Sequence, residues 1–240
     1  MQMMRNVWDT VKIIVQALLI ALILRTCLFQ SYNIPSGSMV PTLLVNDFLF
    51  VSKYSYGYSK YSLPFNLPLF SGRILGSEPK RGDVIVFKLP KDDSQDYIKR
   101  LVGMPGDKIQ MKEGRLYIND TVVPRERIED FFYKGRRIPQ YIETLPNGVK
   151  HHIIEYNDDN GPLDNTELYT VPEGHYFMMG DNRDDSLDSR VSTEVGYVPY
   201  INLVGRAEVI FLSVDETASA WQFWQWPWTI RGERMFQPIR

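Results

Sequence analysis

The sequence predicts a mainly β protein: an antiparallel β-sheet domain with a small inserted lobe, preceded by one N-terminal transmembrane helix. Three observations predict it. One long apolar stretch, Val11 to Phe29, stands near the start of the chain. Beyond it, short β-prone runs alternate with turn signals, and no amphipathic helical window of comparable strength interrupts them. Without such helices there are no alternating βαβ units, so the strands are expected to pair antiparallel. The third observation is composition. The 240 residues are 44% hydrophobic and 23% charged, which excludes a disordered tail, a collagen-like fibre and a multi-span membrane protein. With 27 Lys+Arg against 29 Asp+Glu the net charge is -2, so no bulk basic surface exists and nucleic acid is not expected as a partner. Cys27 is the only cysteine, which rules out an internal disulfide and a Cys-based zinc site.

The apolar stretch VKIIVQALLIALILRTCLF would span roughly 28 Å as a helix, close to a bilayer core. Its strictly apolar part, Ile13 to Leu24, has the length of a cleaved export signal, but no small-x-small site follows it. Arg25 also stands where a lipobox before Cys27 needs a small or apolar residue, so an uncleaved anchor is the expectation. Lys12 and Arg25 can snorkel to opposite interfaces, and Trp8 suits an aromatic belt. Arg5 and Lys12 outweigh Asp9, a slight bias that puts the N-terminus inside and everything after Phe29 outside the cytoplasm.

Residues 1–29 are thus expected to form the cytoplasmic N-terminus and anchor, and 30–130 with 167–215 the β domain. Its strands are read from DFLFVSKYSY, DVIVFKLP, DYIKRLVGM, GRLYIND, ELYTVP, HYFMMG and LVGRAEVIFLSV. Ser62 to Lys80, with Pro64, Pro68 and Pro79, reads as an irregular excursion. Residues 131–166, rich in Lys/Arg, His, Asn and Asp, read as a small inserted lobe or long loop. Its bases Lys134, Arg136 and Arg137 suit either water or anionic lipid, with water favoured. Residues 216–240 crowd Trp221, Trp224, Trp226 and Trp228 with Phe223, Arg231, Arg234 and Arg240. That segment supports two readings: an aromatic edge of the core, or a membrane-proximal surface that dips into the lipid interface.

Three clusters carry chemistry. In Ile34 to Leu43, IPSGSMVPTL, Pro35 and Pro41 stiffen the backbone and Gly37 leaves space between the hydroxyls of Ser36 and Ser38. A nucleophilic serine needs such a fixed setting beside backbone N–H groups, although a Ser-Gly-Ser turn between prolines is more often only a turn. The histidines are poorly placed to serve as its base: His151 and His152 fall in the lobe, and His175 is a lone residue beside a strand. Lysine becomes the alternative if burial drives its pKa toward neutrality. In DYIKRLV, Asp96 to Val102, strand alternation groups Lys99 with Tyr97 and Leu101 and sends Arg100 to the opposite face. The competing reading is a solvated lysine at a strand edge.

The third cluster is GDNRDDSLDSR, Gly180 to Arg190. As a calcium loop starting at Asp181 it fails, because Arg183, Ser186 and Ser192 occupy the positions that need a ligand, a glycine and a bidentate glutamate. The alternatives are a solvated acidic loop or a hydrogen-bonded scaffold. In the scaffold Asp181, Asp188 and Arg190 would form charge-assisted pairs, and Ser186 or Ser189 would orient a catalytic group.

Taken together and in this order, SGSMVPTL, DYIKRLVGMPGD and GDNRDDSLDSR behind an apolar anchor resemble the conserved boxes of the bacterial type I signal (leader) peptidases. The resemblance covers the anchor, about 30–120 and 176–214, and thins across 131–166, where that family varies in size. It implies a membrane-bound serine endopeptidase that removes signal peptides from exported preproteins after a small residue of an Ala-x-Ala type site. It implies Ser38 as nucleophile, Lys99 as neutral general base, and Ser186 as the residue that hydrogen-bonds and orients the lysine. An oxyanion hole from the Ser38 N–H and the Ser36 hydroxyl is implied too, with Asp181, Asp188 and Arg190 in structural and charge-pairing positions. Ile34, Met39, Leu43, Tyr97 and Ile98, with Tyr32 nearby, would line shallow apolar pockets. Asp185 departs from the asparagine common there, and pointed inward it would raise the lysine's pKa. No cofactor and no metal is implied. The implied partners are secretory preproteins, membrane lipid and the protein-export translocon, at the bacterial inner membrane with the catalytic domain on the periplasmic side. Two alternatives remain open from sequence: a specialised processing peptidase of the same family, and a catalytically silent, membrane-tethered β module that binds extended peptides.

Overall fold

The structure is a computed structural model that describes residues 2–63, 69–157, 161–216 and 223–240. Pro64 and Pro68 of the irregular excursion, and Trp221 of the tryptophan-rich segment, lie outside the described residues. The first element is α1 (Gln2–Cys27). Within it Val7–Cys27 has a mean hydropathy of 2.0, with its apolar window left unburied by the rest of the protein, and is long enough to cross a bilayer. The helix ends at Cys27, short of the expected Phe29, because the following residues are captured by the sheet. The Tyr58 hydroxyl donates to Cys27 O at 2.6 Å, and Lys53 N donates to Leu28 O at 2.9 Å.

Among the described residues the strands form three sheets, all antiparallel in their pairings. The main sheet runs β1 (Phe29–Asn33), β2 (Asp47–Ser52), β14 (Leu203–Ser213), β3 (Val84–Leu89), β4 (Asp92–Gly103), β12 (His175–Met179) and β13 (Val198–Pro199). Period-two alternation sets the faces. Leu49 and Val51 of β2 turn into a core shared with Ile34, Leu43, Val84, Val86, Val204 and Ile210, while Phe48 and Phe50 turn outward onto Phe211. A four-stranded sheet of β5 (Lys108–Lys112), β6 (Arg115–Ile118), β7 (Thr121–Val122) and β11 (Tyr169–Thr170) buries Ile109, Met111, Leu116 and Ile118 against Val102 and Phe177.

The lobe is a three-stranded sheet of β8 (Arg125–Tyr133), β9 (Arg136–Thr144) and β10 (Lys150–Ile154), beginning at Arg125, upstream of the expected 131. Lys134 and Gly135 join β8 to β9 with φ of 49° and 76°, the paired positive φ that a tight two-residue hairpin turn requires. Ile138 and Ile154 pack on Val40, docking the lobe onto the loop between β1 and β2.

Candidate active site

That loop, residues 34–46, is closed at its base by two backbone bonds: Ile34 N donates to Asp47 O and Asn46 N to Ile34 O, both at 2.9 Å. Met39, Val40 and Leu43 are fully buried, which fixes the turn that carries Ser38. Alternate residues go to opposite sides. Met39 and Leu43 join Ile34, with Tyr32 and Ile98 packed against them, while Val40 faces the lobe. Ser36 is exposed and Ser38 is 8% exposed, so only the second hydroxyl is enclosed.

Facing it, β4 supplies Lys99, 4% exposed, whose Nζ donates to Ser38 Oγ at 2.7 Å and to Ile98 O at 2.9 Å. The same distance serves the reverse bond, Ser38 O–H to a neutral amine. Burial drives the Lys99 pKa down to about 8; Asp188 and Asp181 pull it upward and Arg190 pushes it down. Among the described residues Lys99 makes no ion pair. Both carboxylates that could hold its proton are committed elsewhere, and this is how the site keeps a lysine near neutrality.

Asp181 is committed to Arg100, the next residue of β4 and on the opposite face. The guanidinium, fully buried, grips the carboxylate through Nε at 2.8 Å and a terminal nitrogen at 2.6 Å, and Thr42 Oγ1 donates to the same carboxylate at 2.6 Å. Burial alone would raise the Asp181 pKa, but Arg100 overcomes it and holds the carboxyl below its usual range. Asp188 is likewise held low against its burial by Arg190, at 2.9 and 2.8 Å, and accepts from Gly180 N at 3.0 Å. The acidic cluster is therefore a buried scaffold. It brackets the nucleophile loop: Asn182 N donates to Ser38 O at 3.2 Å and Asn182 Nδ2 to Gly37 O at 3.1 Å.

Gly180 explains how closely the two segments pass. A Cβ there would lie 2.2 Å from Ser186 Oγ and 2.5 Å from Ser38 O, so only glycine fits. Gly37 differs: a Cβ would meet Val40 at 3.7 Å and the Tyr133 hydroxyl at 3.9 Å, ordinary contacts.

Several expectations need correction. Ser186 is buried beside the dyad, its hydroxyl close enough to the Asp188 carboxylate to help hold that pKa down, while the Lys99 nitrogen is turned to Ser38 and Ile98 O. The Ser189 hydroxyl is occupied by Met178 N at 2.9 Å. Asp185 is exposed and is absent from the charges that shift Lys99. Tyr97 is not packed in the cluster of Ile34, Met39, Leu43, Tyr32 and Ile98, although it stays beside the dyad. It packs with Phe87 in a separate cluster, its ring 5.3 Å from Lys99 Nζ, because adjacent strand residues face opposite ways. Arg231 and Arg234 do not point to a lipid surface: both reach the buried Asp47 carboxylate, and Arg231 also donates to Val45 O at 2.7 Å and Arg234 to Thr42 O at 2.9 Å.

Sequence reasoning missed Arg100, Asn182 and Thr42 as parts of the site, and the pair Arg183–Glu143, whose guanidinium meets both carboxylate oxygens at 2.9 and 2.5 Å. Arg183 and Asn182 lay within the quoted acidic box; Glu143 had no local signal. His151, set aside with the lobe, is buried, with Nε2 3.4 Å from Glu143 Oε2 and 4.0 Å from Asp181 Oδ1. None of the three histidines hydrogen-bonds Ser38, whose partner is Lys99.

The family model described as signal peptidase, peptidase S26, matches residues 7–212. The "Signal peptidase I" of Rickettsia felis is 45% identical over 209 residues, covering 82% of this chain and 77% of the relative. That of Rickettsia prowazekii is 44% identical over 206 residues with the same coverage. A crystal structure of a signal peptidase I from Enterococcus faecalis is similar at 28% identity with a TM-score of 0.33, covering 54% of this chain and 97% of that one. The chain belongs to the signal peptidases of the peptidase S26 family, hydrolases of the serine endopeptidase class.

Proposed function

We propose that the chain cleaves signal peptides with a Ser38/Lys99 dyad, after a small residue of an Ala-x-Ala type site. The observation that carries this reading is the 2.7 Å contact between Ser38 Oγ and a buried lysine that has no carboxylate partner. In the first step neutral Lys99 takes the Ser38 proton as Oγ attacks the scissile carbonyl, and then delivers it to the departing amine. In the second step Lys99 activates the water that releases the acyl group. The Ser38 N–H and the exposed Ser36 hydroxyl lie on either side of Gly37, where an oxyanion would develop. Substrate docks as an added strand: among the described residues β1 pairs only with β2, which leaves its outer edge to bind an extended peptide. The neighbouring wall of Ile34, Met39, Leu43, Tyr32 and Ile98 takes small side chains. Asp181, Asp188 and Arg190 hold the loop, and Ser186, buried in the same acidic box, is the residue that would orient Lys99.

The apolar α1 suits a single inner-membrane span with the N-terminus in the cytoplasm and the sheets on the periplasmic side. Exposed aromatics cluster at its end, Phe29 with Phe50 and Tyr54, and the C-terminal segment adds Trp224 and Trp228, 51% and 83% exposed. This face fits a lipid interface and brings the dyad to where a signal peptide's cleavage site emerges beside the translocon. The test is cleavage, in detergent, of an exported precursor with a small-x-small site by the parent, Ser38→Ala and Lys99→Ala, with product N-termini read by mass spectrometry. Cleavage after the small residue by the parent alone is the expected outcome. Cleavage surviving both substitutions would refute the dyad, and an inert parent across several precursors would return the specialised peptidase or the binding module.

A further inference from the structure

The nucleophile loop has two flanks, and the proposed reaction uses only one. The flank of Ile34, Met39 and Leu43 takes residues before the scissile bond. On the other, Val40 meets the lobe through Ile138 and Ile154, with Leu44, Phe131, Tyr133 and Tyr156 packed around them. The lobe's hairpin tip comes nearest to the chemistry. The 3.9 Å between the Tyr133 hydroxyl and a Cβ placed on Gly37 puts the phenol beside the glycine that separates Ser36 from Ser38.

A residue at a hairpin tip would ordinarily be mobile, yet Tyr133 is braced. Its hydroxyl donates to Glu216 at 2.5 Å, Lys134 Nζ pairs with the same carboxylate at 2.8 Å, and the Phe131 ring stacks on it at 6.1 Å. Tyr156 adds to the wall, packed on the same cluster. Half-exposed aromatics fixed in this way offer contact area at little entropic cost. A peptide extended at about 3.3 Å per residue cannot stop at Ser38, and its continuation must cross to this second flank.

We propose that Tyr133, with Phe131 and Tyr156, forms the subsite for the first residues of the mature protein, those immediately after the cleaved bond, and thereby sets which mature N-termini are processed fastest. With Glu216 neutralised by Lys134, the wall favours uncharged side chains that have an apolar face. This rests on the peptidase reading, and the test separates the two. Two substrate types are compared in the full chain: precursors that differ only in their first mature residue, and an alanine-ending peptide p-nitrophenyl ester, whose leaving group has no mature residues. Tyr133→Ala is expected to lower kcat/KM on precursors about tenfold, mainly through KM, and to narrow the spread among them, with ester hydrolysis unchanged. Tyr133→Phe, which keeps the ring, restores most of the loss. Phe132→Ala, 68% exposed on the opposite face of the hairpin, changes neither substrate. Equal losses on ester and precursor would make Tyr133 a support of the loop and overturn the proposal, as would no loss on either. A parent inert on both substrates overturns the peptidase reading and the proposal with it.

Discussion

Replacing Lys99 with methionine is expected to stabilise the folded chain at neutral pH while abolishing activity. The ammonium is buried with no ion-pair partner, and its pKa falls from 10.5 to about 8 on folding. At roughly 1.4 kcal/mol per pKa unit, keeping the charge inside costs about 3 kcal/mol. The sign follows from proton counting. Between pH 8 and 10.5 the unfolded lysine is protonated and the folded one is not, so the unfolded state binds more protons and stability rises with pH. Above 10.5 the penalty is absent, and below 8 it is complete. Chemical denaturation of the parent and Lys99→Met in the same detergent, from pH 7 to 10.5, isolates the effect, because every other titrating group cancels in the difference. Methionine's advantage is expected to shrink by about 3 kcal/mol across that window, whatever constant offset comes from the lost bonds to Ser38 and Ile98 O. A difference that stays flat with pH would show that the folded lysine titrates normally, and the argument for a neutral base would fall.

The same pKa shapes catalysis: kcat/KM is expected to rise tenfold per pH unit up to about 8 and then level off, read from a precursor-cleavage profile. Asp181→Asn leaves the Arg100 guanidinium buried without its carboxylate and should cost about 3 to 5 kcal/mol in a denaturation experiment. Gly180→Ala must push the acidic box off the nucleophile loop, since the new Cβ falls 2.5 Å from Ser38 O. A displacement near 1 Å predicts a loss of about 100-fold in kcat, measured on chain confirmed folded by circular dichroism.

Legibility from sequence tracked the range of the physics involved. The anchor announces itself by its long apolar run, and most strands of the main sheet by the local period that burial imposes: DVIVFKLP and LVGRAEVIFLSV lie at β3 and β14, whereas β1 and the two-residue β13 gave no signal. The strands β8 to β10 gave none, since ERIEDFFYKGRRIPQYIET mixes charge with aromatics on both faces, and the turn at Lys134–Gly135 is visible only once the flanking runs are taken as strands. In the site, Ser38 and Lys99 came from local chemistry reinforced by the resemblance, and the structure puts them in contact. Their supports were hidden because pairing is a long-range property. Nothing in the sequence links Asp181 to Arg100 rather than to Arg190, or Arg183 to Glu143. Side-chain direction at Ser186 and Asp185 depends on loop conformation, which no periodicity governs.

The grip of Arg231 and Arg234 on Asp47, Val45 O and Thr42 O has a consequence for the order of events during synthesis. Ser38 and Lys99 leave the ribosome early, but the residues that hold the loop between them are translated in two later instalments, 180–190 and then 231–234. A nascent chain therefore carries both reactive groups for most of its elongation without the frame that aligns them. Hydrolytic competence is expected to switch on late in synthesis, once both instalments have folded back onto the nucleophile loop.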